Sequence, residues 1–278
     1  MQLLLHPQSQ DRFDAIIADP PQSILLVAPE GSGKETLLLQ LADVILGDHH
    51  TGRLFLIEPP EDKNSIGIDA IRELKMALRL KSDKHRVVVA PHAELLTDDA
   101  QNSFLKLLEE PPKDVHFFLA VTKLGDVLET IQSRTAVWRL TPPTTEQLDA
   151  YFSDAPVALK TKAFAIGQGR VGLITAMLEH QDDHELLHTI DVAKEILAET
   201  HFKRLVRVDA LAKDQKQVVL LIESLQLICK AALEHAAKNN NHSVSQWHKR
   251  LSRVAQAEAE LADNVQPKLV LDHLFMTI

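Results

Sequence analysis

The feature that most constrains this chain is the stretch SILLVAPEGSGKETLLLQLADVIL, residues 23–46. An apolar run precedes a glycine-rich loop, and apolar residues then recur at helical spacing, which predicts strand, loop and helix in that order. A phosphate loop of the Walker type reads G-x-x-x-x-G-K-[ST]. Its backbone N–H groups cradle phosphate oxygens, its lysine reaches the terminal phosphates and its hydroxyl binds magnesium. Gly31, Gly33 and Lys34 are in place and Thr36 follows, but Ala28 opens the loop and Glu35 stands where the hydroxyl belongs. The scaffold is kept while the ligand chemistry is lost.

The pattern continues downstream. RLFLIE (53–58), RVVVA (86–90), HFFLAV (116–121) and AVWRL (136–140) read as strands, and IDAIRELKMALRL (68–80) as an amphipathic helix. TDDAQNSFLKLLEE (97–110) opens with a hydroxyl-and-acid cap and stops at Pro111-Pro112, which cannot continue a helix. Strands alternating with helices predict an α/β module whose parallel sheet is covered on both faces. After the linker TPPTTEQ (141–147), which also caps a helix, only helical periodicity is found as far as Ile278. GQGRVG (167–172) punctuates a small helical unit, and HELLHTIDVAKEILAE, KQVVLLIESLQLICKAALEHAAK and SQWHKRLSRVAQAEAELA read as the antiparallel helices of a separate bundle. The expected divisions are 1–142, 143–183 and 184–278.

A net charge of −9 argues against coating nucleic acid through bulk charge. No segment approaches the roughly 18 continuous apolar residues of a membrane span, and MQLLLHPQSQDRF lacks the pattern of a signal peptide. The expected location is the cytoplasm, with no membrane partner. The single cysteine, Cys229, rules out an intramolecular disulfide framework and a cysteine-based zinc site, and reads as a core residue on a helix. Fourteen histidines invite a metal reading, but His49-His50 are adjacent in a polar turn and no metal is expected.

Four stretches in one order carry a resemblance. NSFLKLLEEPP (102–112) resembles the helix-and-diproline signature of bacterial clamp-loader subunits, the AAA+ proteins of the DNA polymerase III holoenzyme that open the sliding clamp. FFLAVTKLGDVLETIQSRT (117–135) resembles that family's sensor strand and Ser-Arg-Cys motif, with Thr135 for the cysteine. NSIGIDAIREL (64–74) is similar to the segment after the family's zinc module, and NVQPKLVLDHLFMTI (264–278) to the last collar helix. The resemblance implies an AAA+ phosphate-loop core, then a helical lid and an all-α collar that mediates oligomerisation. The family's four-cysteine zinc module is missing, because ILGDHHTGRLFLIE (45–58) runs straight through.

An ATPase of this class needs an Asp-Glu pair after the third strand to hold magnesium and orient water. The sequence RVVVAPHAELL places Pro91 and His92 there, and Glu94 is read as too far along to substitute. The loop of Gly31, Gly33, Lys34, Glu35 and Thr36 is therefore expected to be vestigial, with no cofactor of its own, ATP and magnesium being bound by partner subunits. No catalytic activity of its own is expected. The pattern resembles the rigid stator of the loader rather than its gamma/tau motor, in which a sensor arginine stands where Gly172 does here.

The resemblance implies partners: gamma/tau and delta subunits, the sliding clamp, and primer-template DNA within the complex. It also implies a role for Ser133 and Arg134, the arginine acting as a finger in the ATP site of a neighbouring subunit. The plain alternative for Arg134 is a surface arginine paired with an acid. Arg72, Lys75 and Arg79, extended by RLKSDKHR (79–86), are candidates for DNA-backbone contact, against the alternative of a solvated face. Two other readings of the whole chain stay open: an active or nucleotide-binding ATPase of the gamma/tau type, and a related AAA+ protein of DNA repair or recombination.

Overall fold

The computed structural model describes residues 3–47, 52–60, 63–79, 84–179, 185–239 and 242–278. The chain divides into two compact units, Met1–Tyr151 and Phe152–Ile278.

The first unit runs α1 (Pro7–Ala18), β1 (Ser23–Val27), α2 (Lys34–Leu46), β2 (Leu54–Leu56), α3 (Ile68–Leu78), β3 (Arg86–Ala90), α4 (Asp98–Glu109), β4 (Val115–Val121), α5 (Glu129–Gln132), β5 (Ala136–Arg139) and α6 (Thr145–Tyr151). Its five strands form one sheet in the order β2-β3-β4-β1-β5, every neighbouring pair parallel. Because successive strand residues face opposite sides, the sheet feeds two cores. Leu25, Val88, Phe117 and Leu119 pack with Ile71, Leu74, Phe104 and Ile131 from α3, α4 and α5, and Phe104 meets Phe117 edge-on at 5.5 Å between ring centroids. Ile24, Leu26, Val87, Val89 and Phe118 pack on the other face with Ile16 of α1 and Leu37, Leu38 and Leu41 of α2. β1, β3 and β4 are buried on both sides, which is why they read as unbroken apolar runs.

Local chemistry sets the helix ends. Thr97 accepts from the Ala100 N–H to cap α4, and Thr144 and Gln147 exchange a reciprocal capping pair at α6. β2 is confined to Leu54–Leu56, shorter than the apolar run around it, because it is an edge strand paired with β3 alone. Helix α1 was not read from the sequence. Its start is set by Pro7 in the first turn and by a His6 ring nitrogen accepting from the Gln8 N–H.

The second unit holds α7 (Val157–Gly167), α8 (Val171–Glu179), α9 (Glu185–Ala198), α10 (His201–Leu211), α11 (Gln215–Lys238), α12 (Val244–Ala262) and α13 (Pro267–Thr277), with no strand among its described residues. Helix α11 is central: Leu221, Ile222 and Leu225 pack with Ile196, Val208, Val254 and Phe275, while Leu220 and Leu227 pack with Leu173, Leu186 and Ile190. Cys229 lies in this core, and burial pushes its thiol up to about 11, so it is an inert core residue. Among the described residues no helix is long and apolar enough to cross a membrane.

Gly167 ends α7 against α8, where a Cβ would lie 2.4 Å from Cγ1 of the fully buried Ile174. Gly167→Ala is expected to destabilise the protein by about 1–3 kcal/mol through overpacking. Thermal denaturation checks this, and trimming the neighbour with Ile174→Ala in the same chain should return part of the lost melting temperature.

Candidate functional site

The loop between β1 and α2 keeps the backbone path of a phosphate loop. The Ala28 N–H donates to Val121 O at 3.1 Å, extending the β1–β4 ladder by one step. Gly31 and Gly33 then adopt φ of 76° and 84°, the left-handed region that glycine enters without steric cost. Ala28 is not among the positive-φ residues, so the opening position has no need of glycine. Glu35 lies in the first turn of α2, where an acid suits the helix dipole.

Lys34, the first residue of α2, is only 3% exposed, and its ammonium is held from three directions. Glu30 Oε2 lies at 3.1 Å, Glu94 Oε1 at 3.1 Å and Thr122 Oγ1 at 3.0 Å. An ammonium has three donors, and all three have an acceptor within the chain. The Thr122 hydroxyl also donates to Glu94 Oε1 at 3.3 Å. Glu94, which the residue order places too far along to substitute for the missing acids, is brought against Lys34: the 3-10 turn Ala93–Leu95, closed by the Leu95 N–H on His92 O, turns the chain back toward the loop. Three residues of sequence separation are absorbed by one tight turn.

His92 Nδ1 stands 3.6 Å from Glu94 Oε1. The Glu94 carboxylate raises the His92 pKa against the opposing effects of burial and Lys34. Burial works against the Glu94 charge, but His92 and Lys34 outweigh it and hold the carboxyl below its ordinary value. For Lys34, too, burial is the largest influence and lowers the pKa, yet Glu94 and Glu30 together raise it. Asp126 is also near: burial raises its carboxyl, with the Glu94 charge adding to the rise. Nothing in the residue order signals that Glu30, His92 and Glu94 converge, their ligand atoms lying within 4.8 Å of one another. The Lys34 ammonium already sits against both acids, at the place a cation would take. The carboxyl oxygen Glu94 Oε2 and the hydroxyl Ser32 Oγ are buried with no hydrogen-bond partner among the described residues.

Ser133 and Arg134 lie elsewhere. Ser133 caps α5, and Arg134 follows it just before β5. In a parallel sheet the loop after β1 and the turn before β5 are at opposite ends, separated by a strand of about 13–17 Å. Arg134 is therefore turned away from its own Lys34. Its side chain, 35% exposed, pairs with Glu109 Oε1 at 2.7 Å at the end of α4 and donates to Thr130 O at 3.0 Å.

The basic residues of α3 have neighbours of their own. Arg72 pairs with Asp69 at 2.7 Å on the exposed side of α3. Lys75 donates to Ser103 O at 2.7 Å and Ser103 Oγ at 2.9 Å, tying α3 to α4. Its pKa is lowered, by burial first and then by Lys106 and Arg72. Arg79 is exposed at the end of α3, whereas positions 80–83 of the basic run, like His49 and His50, lie outside the described residues. In the second unit Arg170 pairs with Glu223 at 2.6 Å, binding the α7–α8 turn to α11.

A phosphate-type loop on a five-stranded parallel sheet, followed by a unit with helices and no strand among its described residues, is a fold of the AAA+ type. A solved DNA polymerase III gamma subunit-related protein from Thermotoga maritima shares this fold, with a TM-score of 0.58 at 20% identity over 96% of this chain and 97% of that one. Residues 49–144 match the family described as DNA polymerase III, delta subunit. DNA polymerase III subunit delta' of Yersinia pestis is 33% identical over 144 residues, 44% of this chain and 42% of the relative. Its Escherichia coli counterpart is 40% identical over 91 residues, 32% of this chain and 27% of the relative. Over these stretches the chain is similar to delta' subunits, and the matches span less than half the length of these two curated relatives.

A lowered carboxyl pKa contributes stability above its unfolded value and loses it as pH falls through the folded value. Glu94→Gln is expected to cost about 1–3 kcal/mol near neutral pH. The gap from the unaltered protein should close on acidification from the ordinary 4.5 downward. Denaturant midpoints across that range check this, and a gap that stays constant with pH would remove the charge from the account.

Proposed function

We propose that this chain is an ATPase-inactive stator subunit of a bacterial replicative clamp loader, lending Arg134 to the ATP site of a neighbouring gamma/tau subunit while the loader places the sliding clamp on primed DNA. One observation carries the reading: the guanidinium stands at the end of the sheet opposite its own loop, where only another molecule's phosphates can meet it. Its bond to Glu109 is a half-exposed ion pair, of a kind worth about 0–1 kcal/mol. Giving it up for a partner's phosphoryl group therefore costs little. A planar guanidinium suits charge developing on a transferred phosphoryl group, and arginine fingers contribute about 10³–10⁵ in rate. The chain's own loop fits a magnesium triphosphate poorly, since the Lys34 donors are taken and Glu35 replaces the hydroxyl. ATP and magnesium are then bound by the partners. Partners of this reading are gamma/tau, delta, the clamp and primer-template DNA.

The position of Glu94 beside Lys34 favours a second reading, a nucleotide-binding ATPase in which that acid replaces the missing pair. Titration of the isolated chain with magnesium ATP separates the two, since tight magnesium-dependent binding belongs to the second alone.

The finger is tested by reconstitution with the gamma/tau and delta proteins of the same organism. Arg134→Ala is expected to remove most of the DNA- and clamp-stimulated ATPase of the site it serves, with assembly on gel filtration intact. Unchanged turnover in an assembled complex would remove the finger from the proposal.

A further inference from the structure

We propose that Glu30 and Glu94 act as a built-in anion that takes the place of nucleotide phosphate on Lys34, so that the loop is closed by the chain's own carboxylates and excludes polyphosphate. The inference rests on the reading of this chain as one that works without its own nucleotide, and it names the residues responsible. Phosphate loops bind because their lysine and backbone N–H groups present positive charge to the anion. Here the ammonium is buried and all three of its donors are engaged. Two carboxylates against one ammonium leave the cluster with an excess negative charge when His92 is neutral, and Asp126 adds to it.

The two acids come from different elements. Glu30 is in the loop itself, four residues before Lys34, and Glu94 is carried by the turn after β3. A polyphosphate entering the loop has to displace both from Lys34 and then remain beside them. Glu35 stands where the hydroxyl belongs, but the carboxylates in contact with Lys34 are Glu30 and Glu94. The backbone cradle is otherwise kept, with Gly31 and Gly33 in their left-handed conformations. It follows that removing the two charges, rather than rebuilding the loop, uncovers an anion site.

The test is calorimetric titration of the full chain with inorganic tripolyphosphate in the absence of magnesium. The unaltered protein is expected to bind negligibly, and Glu30→Gln/Glu94→Gln to bind at least about tenfold more tightly, one charge-assisted hydrogen bond regained being worth that much. Adding Lys34→Met should abolish the gain. A folded double variant that binds no better than the unaltered chain overturns the inference and leaves the nucleotide-free reading standing. Tight binding by the unaltered chain overturns the inference, and tight magnesium ATP binding by it overturns the reading as well. Should the double variant fail to fold, Glu30→Gln, at the more exposed acid, decides in the same way: some gain supports the inference and none refutes it.

Discussion

The buried ammonium of Lys34 is the constraint on which the candidate site depends. A charge taken out of water is tolerated only when it is paired and its donors are satisfied, and this one gathers acceptors from three separate stretches: the loop, the turn after β3 and the residue following β4. The same contacts fix where each stretch sits. Breaking one partner of such a pair typically costs more than the pair contributes in total, because the remaining charge stays buried. The site is thus held in one arrangement by the penalty for every other.

A parallel sheet gives the unit two distinct ends. Loops after the strands gather Lys34, Glu94 and Thr122, while the segments before the strands gather Arg134 and Glu109. The two sets are separated by the strands between them, so a single copy of the unit cannot bring its guanidinium to its own loop. The proposed division of labour between subunits follows from this topology. On the flank, Lys75 is spent on joining α3 to α4. Arg72 shares its charge with Asp69, and Arg79 is exposed just past the end of α3.

Much of the fold was legible because it follows from local rules. The apolar runs of β1, β3 and β4 are what strands buried on both faces must look like. The ends of α4 were given by Thr97 and the two prolines, and the glycines of the loop by the left-handed backbone that they alone adopt easily. Helix α1 escaped notice because its apolar stripe is thin, only Ser9 and Ile16 being buried along it. Shortening of β2 was also hidden, since an edge strand keeps only as many bonds as its one neighbour offers.

The sequence by itself determined that a strand, a phosphate-type loop and a helix belong to an α/β unit, that helical periodicity follows it, and that Glu35, Pro91 and His92 stand where magnesium ligands are usual. Those are statements about residue types and spacing, which short-range periodicity and backbone chemistry enforce. Tertiary structure alone decided that Glu94, sixty residues from Lys34, is its partner, that Glu30 completes the pairing, and that Arg134 rests on Glu109. Such contacts arise where strands distant in sequence end side by side, and the electrostatics of a buried charge depend on that proximity in space and not on order along the chain.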